Sequence, residues 1–246
     1  MNNKDLIKKY VGSTGLSIPE YQFNKLNNNL KTSYLRKRIQ ATQNSSKHYL
    51  KDYEIIALPD EAKINYINGL SDDNKLLMFQ KSTKPKELYD EISNYGELQL
   101  SDYDFNHMLM FAYDTDGIGK IMIDYYDGDL GDEQINKILM NSLEPFNTMK
   151  LIKEKQPIEL THYSMSTLLK NSVNQDEISL IAIDYFKEDL AIGNILMILL
   201  YTKRPIYFDS LIRKYVDYEL SDGQESILIG RGKNSNELKK LFGVEY

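Results

Sequence analysis

Apolar positions return along this chain at a fixed interval. Leu70, Leu100, Leu130, Leu160, Leu190 and Leu220 stand thirty residues apart. Eight residues after each come Met78, Met108, Ile138, Leu168, Ile198 and Leu228, and nine after come Phe79, Leu109, Leu139, Leu169, Leu199 and Ile229. Small residues fall twelve after: Ser82, Ala112, Ser142, Ser172, Thr202 and Gly232. A fixed period of this size marks a repeat array.

The polar positions say what each repeat is made of. Ser71, Ser101, Gly131, Thr161, Ala191 and Ser221 follow the repeat leucine, and all but Ala191 are of types favoured at a helix N-cap. Ser221 with Gln224 fits a capping box. A first helix (helix A) is therefore predicted just after each leucine. Fifteen positions after the leucine stand Pro85, Thr115, Pro145, Gln175, Pro205 and Ser235. Proline suits the first helical turn, so a second helix (helix B) is predicted there. Its apolar residues fall on one face at helical spacing: Ile178, Ile181, Ala182 and Tyr185 in one copy, Phe208, Leu211, Ile212 and Tyr215 in another. One such hairpin cannot bury its apolar face alone, whereas stacked copies bury a continuous core. The expected fold is all-α: an α-solenoid of about six thirty-residue helix-turn-helix repeats.

The chain before the first full repeat reads differently. Residues 3–10 are predicted as a short helix and Gly12–Ser17 as a loop. Pro19 opens a longer helical stretch through about Gln43, with Leu26, Leu30, Tyr34, Leu35 and Ile39. A polar connection at 44–52 leads to a first helix B over 54–69, with Pro59 near its start and Leu58, Ala62 and Tyr66 on its face. The last helix B is expected over about Ser235 to Phe242. The domain division expected is a basic helical N-terminal segment, 1–52, and an acidic repeat array, 53–246.

Charge sharpens that division. Of 30 Lys and Arg and 36 Asp and Glu in the 246 residues, ten bases but only two acids, Asp5 and Glu20, lie in residues 1–51, giving +8 there and −14 in the rest. Lys8, Lys9, Lys31, Arg36, Lys37 and Arg38 are the candidate phosphate contacts. Two helices joined by a short turn also have the outline of a helix-turn-helix. The competing reading is a cap that closes the array. Composition, at 41% apolar and 27% charged, is that of a globular chain. Cysteine is absent, which removes disulfides and Cys-based metal sites. The first twenty residues hold no apolar stretch, and the longest apolar run, Ile195 to Tyr201, is too short to span a bilayer. A cytoplasmic protein with no membrane contact is expected.

Candidate chemistry is sparse. Asp114-Thr-Asp-Gly-Ile-Gly-Lys120 starts like a calcium loop, but its glycine comes too early and its twelfth residue is Tyr125. Gly230-Arg-Gly-Lys-Asn-Ser235 lacks the spacing of a phosphate loop. His48, His107 and His162 have no mutual ligand spacing, so no metal and no cofactor is expected. Asp129, Glu159, Asp189 and Glu219 each precede a repeat leucine, which reads as turn chemistry rather than an acid/base pair. Tyr95, Tyr125, Tyr185 and Tyr215 recur five before the leucine. They either complete the helix B face or form an aromatic ladder on a binding surface. From Asp114 to Glu133 there are seven acids and one lysine, and Asp114, Asp116, Asp127 and Asp129 are candidate contacts for a basic partner.

Paired short helices with a small residue late in helix A resemble the ankyrin and related helical-hairpin repeat families, over about residues 55–242. Thr-Pro-Leu-His is absent from every copy, and the period is shorter than the usual 33. The thirty-residue period with recurrent proline also resembles mitochondrial transcription-termination repeats, a likeness that implies nucleic-acid binding. The expectation is a non-catalytic protein- or peptide-binding scaffold, regulatory in character and able to form homo-oligomers. The alternative is a nucleic-acid-binding regulator that uses the basic segment, with the repeats serving an effector or oligomerisation.

Overall fold

In the computed structural model, residues 17–43, 49–95 and 98–244 are described. The helix expected at 3–10, most of the Gly12–Ser17 loop, residues 44–48 with His48, and both Lys8 and Lys9 lie outside them. All regular structure among the described residues is helical. The chain forms two compact units, residues 1–121 and 122–246.

Unit 1 opens with α1 (Glu20–Phe23) and α2 (Asn28–Gln43). The single helix expected from Pro19 is broken at Asn24–Asn27. There the Asn27 side chain accepts the Leu30 N–H at 3.0 Å and starts α2 afresh. The helix expected over 54–69 is likewise two, α3 (Asp52–Ile56) and α4 (Asp60–Asn68). Pro59 separates them, because it disfavours helical geometry at Leu58 and has no N–H to continue α3.

From residue 70 onward the helices keep the thirty-residue register. Helix A is α5 (Asp72–Lys81) and α7 (Asp102–Phe111) in unit 1. In unit 2 it is α9 (Asp132–Asn141), α11 (His162–Asn171), α13 (Ile192–Tyr201) and α15 (Asp222–Arg231). Helix B is α6 (Pro85–Ser93) in unit 1 and α8 (Thr115–Tyr126), which runs from unit 1 into unit 2. It continues in unit 2 as α10 (Pro145–Lys155), α12 (Gln175–Phe186), α14 (Pro205–Ile212) and α16 (Ser235–Leu241). The start signals are the ones expected. Ser71, Ser101, Thr161 and Ser221 accept the N–H of the residue three ahead, and the last three complete capping boxes.

Helices A pack on helices A: α5 on α7 in unit 1, and α9 on α11, α11 on α13, α13 on α15 in unit 2. Helices B do the same where α10 meets α12 and α14 meets α16. The apolar pair eight and nine after the leucine lies in this seam. Met78, Phe79, Met108, Leu109, Leu168, Leu169, Ile198 and Leu199 are all at most 2% exposed.

The A–B turns close in two alternating ways. Where helix B starts with proline, the hydroxyl twelve after the leucine accepts the N–H two residues on: Lys84 to Ser82 at 3.0 Å, Glu144 to Ser142 at 3.1 Å, Arg204 to Thr202 at 3.0 Å. Where proline is absent, the residue fourteen after the leucine caps helix B. Asp114 accepts from Gly117 N–H, Asn174 from Glu177 and Asn234 from Glu237. In these latter copies the preceding residue's N–H reaches back to a main-chain carbonyl of the previous helix A. These bonds run from Tyr113 to Gln80, Val173 to Met140 and Lys233 to Leu200 at 2.8–3.0 Å. In the proline copies the matching N–H of Thr83 and Lys203 instead meets a carboxylate, Asp52 at 3.1 Å and Asp176 at 3.2 Å. The structural period is therefore two helix pairs, sixty residues.

The small residue twelve after the leucine thus has different duties in alternate copies. Ser142 accepts a backbone N–H and bonds Thr148 at 2.9 Å, whereas the buried Ser172 hydroxyl has no partner among the described residues. Ser142→Ala is expected to destabilise the fold by about 1–2 kcal/mol, and Ser172→Ala to leave stability unchanged or raise it by up to about 1 kcal/mol. Paired urea-unfolding midpoints of the two variants check the contrast.

Candidate functional site

The described part of the basic segment, residues 17–43 and 49–52, is organised by one buried charge pair. Arg38 on α2 is 2% exposed and Glu54 on α3 fully buried, and Arg38 Nε donates to Glu54 Oε1 at 3.0 Å. The guanidinium also donates to Ser17 Oγ at 2.9 Å and to the Tyr49 carbonyl at 2.8 Å. Glu54 further accepts from Tyr34 Oη, Ser17 Oγ and the Lys51 N–H. Tyr34 Oη in turn accepts the Ile18 N–H at 3.0 Å, and Tyr53 Oη donates to the Ile18 carbonyl. Residues 17–43 and 49–51 therefore share their packing with α3. Burial and the Glu54 carboxylate push the Tyr34 and Tyr53 phenols well above their ordinary range. Burial pushes Tyr66, whose Oη accepts the Leu50 N–H, up to about 12.

This changes the set of candidate phosphate contacts. Arg38 is spent on Glu54 and faces inward, so it cannot meet a phosphate. Lys31 lies 5.2 Å from the centre of the Phe23 ring, half-buried. Arg36 and Lys37 are exposed, and Arg36 forms no ion pair among the described residues. Beside them runs a groove of about 440 Å³ between α2 and the Ala57–Asn65 stretch. Leu35 and Leu58 are buried beneath it, Pro59 and Ala62 form its far wall, and Lys31, Arg36 and Glu61 line its mouth.

The tyrosines and aspartates singled out by the repeat are mostly engaged in the fold. Tyr185 Oη accepts the N–H of Leu160, its own repeat leucine, at 2.9 Å, and donates to the Ile158 carbonyl. Tyr95 lies beyond the end of α6, donates to Asp60 at 2.8 Å and takes Lys63 over its ring. Tyr125 stacks edge-on against Tyr126 at 5.4 Å. Tyr215 lies past the end of α14, which stops at Ile212, and so does not extend that helix's face as its spacing suggests. Asp114 caps α8, so the calcium-like stretch is a helix start. Gly117 is required there, since a Cβ would lie 2.5 Å from the Pro85 ring. Asp127 takes a positive φ of 43° and pairs with Lys155, which also holds Asp124 at 3.0 Å. Asp116 lies in the first turn of α8, and Asp129 is exposed on the turn before Leu130.

The histidines are likewise tied down. His107 accepts from Gln80 Nε2 at 2.7 Å, and His162 donates to the buried Asn194 at 2.8 Å while stacking on Phe186. Among the described residues no group of three His, Cys, Asp or Glu side chains could hold a metal ion. No described helix is long and apolar enough to cross a membrane.

What the repeat register missed is a set of large apolar side chains facing solvent. In unit 1 they include Tyr103, 74% exposed, Met110, Phe111 and Tyr113 on α7 or just after it, besides Tyr21, Ile56 and Ile64. In unit 2 they include Leu143, Phe146, Val173 and Tyr163, which is 83% exposed. The signal was present in the sequence, since Tyr113, Leu143 and Val173 all stand thirteen after the leucine and Tyr103 and Tyr163 three after. No protein-family model matches the chain, and no curated protein or solved structure matches it either.

Removing one partner of a buried ion pair leaves the other charge uncompensated. Arg38→Ala is expected to cost about 3–5 kcal/mol in chemical unfolding, and Arg38→Met with Glu54→Met clearly less than either single change. The buried phenols set a limit at high pH. Their folded pKa values are raised while the unfolded chain ionises near pH 10, so their contribution is complete below about pH 10 and is lost as pH rises toward about 12. Urea midpoints measured at pH 9, 10 and 11 should fall steadily.

Proposed function

We propose that this chain is a non-catalytic binding protein: an α-solenoid of about six thirty-residue helical hairpins that engages a protein or peptide partner through outward apolar side chains. The observation that carries the reading is the exposed aromatic and aliphatic set on each unit, led by Tyr103 and Tyr163. Tyr103, Met110 and Phe111 share the ten-residue helix α7 with Tyr113 just beyond it, and Tyr, Phe and Met are enriched in protein interfaces. Several tyrosines and aspartates of the repeat register, by contrast, are engaged within the fold: Asp114 caps α8, Asp127 pairs with Lys155 and Tyr185 accepts the Leu160 N–H. A regulatory or adaptor role follows from binding without chemistry.

The test is retention of partners by immobilised full-length protein, with bound species identified by mass spectrometry. The combined change Tyr103→Ser, Met110→Ser and Tyr113→Ser is expected to abolish a defined subset while the melting temperature stays within a few degrees. An unchanged set after these changes and after Tyr163→Ser with Val173→Ser would overturn the reading. Light scattering of the same samples separates self-association from a foreign partner.

A second reading is favoured by α2, which carries Lys31, Arg36 and Lys37 and no acid along its sixteen residues. On that reading the helix contacts nucleic-acid phosphate. Salt-sensitive binding of duplex DNA that is lost in Arg36→Glu with Lys37→Glu supports it, and no binding at low salt excludes it.

A further inference from the structure

The groove beside α2 is joined to a second hollow of different character. The groove runs along α2 from Asn28 to Ile39, roughly 16 Å at the helical rise. Its buried floor of Leu35 and Leu58 and the Pro59 ring offer an apolar body nothing to hydrogen-bond. The neighbouring hollow is lined by Asn29, Thr32, Ser33, Arg36 and Lys37, all exposed polar or cationic groups. Thr32 and Arg36 belong to both. A groove with an apolar floor, whose lining also holds Asn28, Thr32 and Asn65, therefore adjoins, through Thr32 and Arg36, a cluster of hydroxyl, amide and cationic donors.

The charges at this junction are one-sided. Arg36 has no ion pair among the described residues, Lys31 is held near the mouth by its contact with Phe23, and α2 holds no acid. Glu61 is the one carboxylate among the groove's lining residues. It is outnumbered by Lys31 and Arg36, and the polar hollow adds Lys37 with no acid in its lining. At about 440 Å³ the groove falls in the range of sites that take small organic molecules.

We propose that this double site binds an amphiphilic organic anion. Its alkyl or aryl body lies in the α2 groove, and its carboxylate, sulfonate or phosphate head is held by Arg36 with Lys37 and the adjacent hydroxyl and amide groups. A guanidinium is the side chain best suited to such heads, since it can donate two parallel hydrogen bonds. The site is independent of the exposed apolar set that supports partner binding.

The full-length protein is titrated with 8-anilinonaphthalene-1-sulfonate, followed by its fluorescence, and the bound dye is displaced with laurate, dodecyl phosphate and dodecanol below their aggregation limits. One saturable site is expected, with both anions displacing the dye and dodecanol at least about tenfold weaker. Arg36→Glu, at an exposed position, should weaken the dye and laurate by about tenfold or more. Ala62→Leu should weaken the binding by filling the groove, and Lys233→Glu should leave it unchanged. Preference for carboxylate or phosphate then identifies the head. Absence of saturable binding, equal displacement by dodecanol, or an Arg36→Glu variant that binds as tightly as the native chain would overturn the proposal. Displacement by duplex DNA with none by laurate would overturn it too, in favour of a phosphate-backbone contact.

Discussion

A ten-residue helix is about 15 Å long and close to the limit below which helices do not persist alone in water. Helix A never exceeds that length here, so its stability has to come from neighbours that cover its apolar side. The adjacent pair eight and nine after each leucine supplies the covered surface. Two successive residues on a helix point about 100° apart, so such a pair presents apolar surface in two directions at once. Everything else in the fold follows from keeping that seam closed, including the small residues that let the A–B turn pass and the caps that start each helix.

Closing the seam leaves little freedom for chemistry. The hydroxyls of Ser82, Ser142 and Thr202, carboxylates such as Asp52 and Asp176, the tyrosine at 185 and the histidines at 107 and 162 are all drawn into turns and between helices. What remains outward includes large apolar side chains on the helix pairs, such as Tyr103 and Tyr163, among exposed charges, and cations on α2.

Much of the architecture was legible because the signals are local. A cap residue, a proline or an apolar pair acts within one turn of itself, and so every helix A begins two residues after its leucine and every helix B fifteen after. Long-range pairings left no such trace. Arg36, Lys37 and Arg38 read as one basic run, yet consecutive helical residues cannot face the same way, and Arg38 turns inward because Glu54 waits on another helix. The break at Pro59 was visible as a residue but not as a break, since proline also starts helices. The exposed tyrosines at 103 and 113 recur in the register but stood outside the positions that define it. The groove beside α2 depends on how α2 settles against the Ala57–Asn65 stretch, which no spacing records.

The alternation of turn types has a consequence for how such a chain can grow or shrink. The Lys203 N–H is met by Asp176, sixteen after the preceding leucine; thirty residues earlier, the same place holds Phe146. Excising one helix pair between them would set two proline-started copies side by side and leave that N–H facing an aromatic ring. Excising two would restore a carboxylate-for-carbonyl sequence of matching surfaces. Genetic events that add or remove length are compatible with these turns in steps of sixty residues, although the hydrophobic rhythm repeats twice as often.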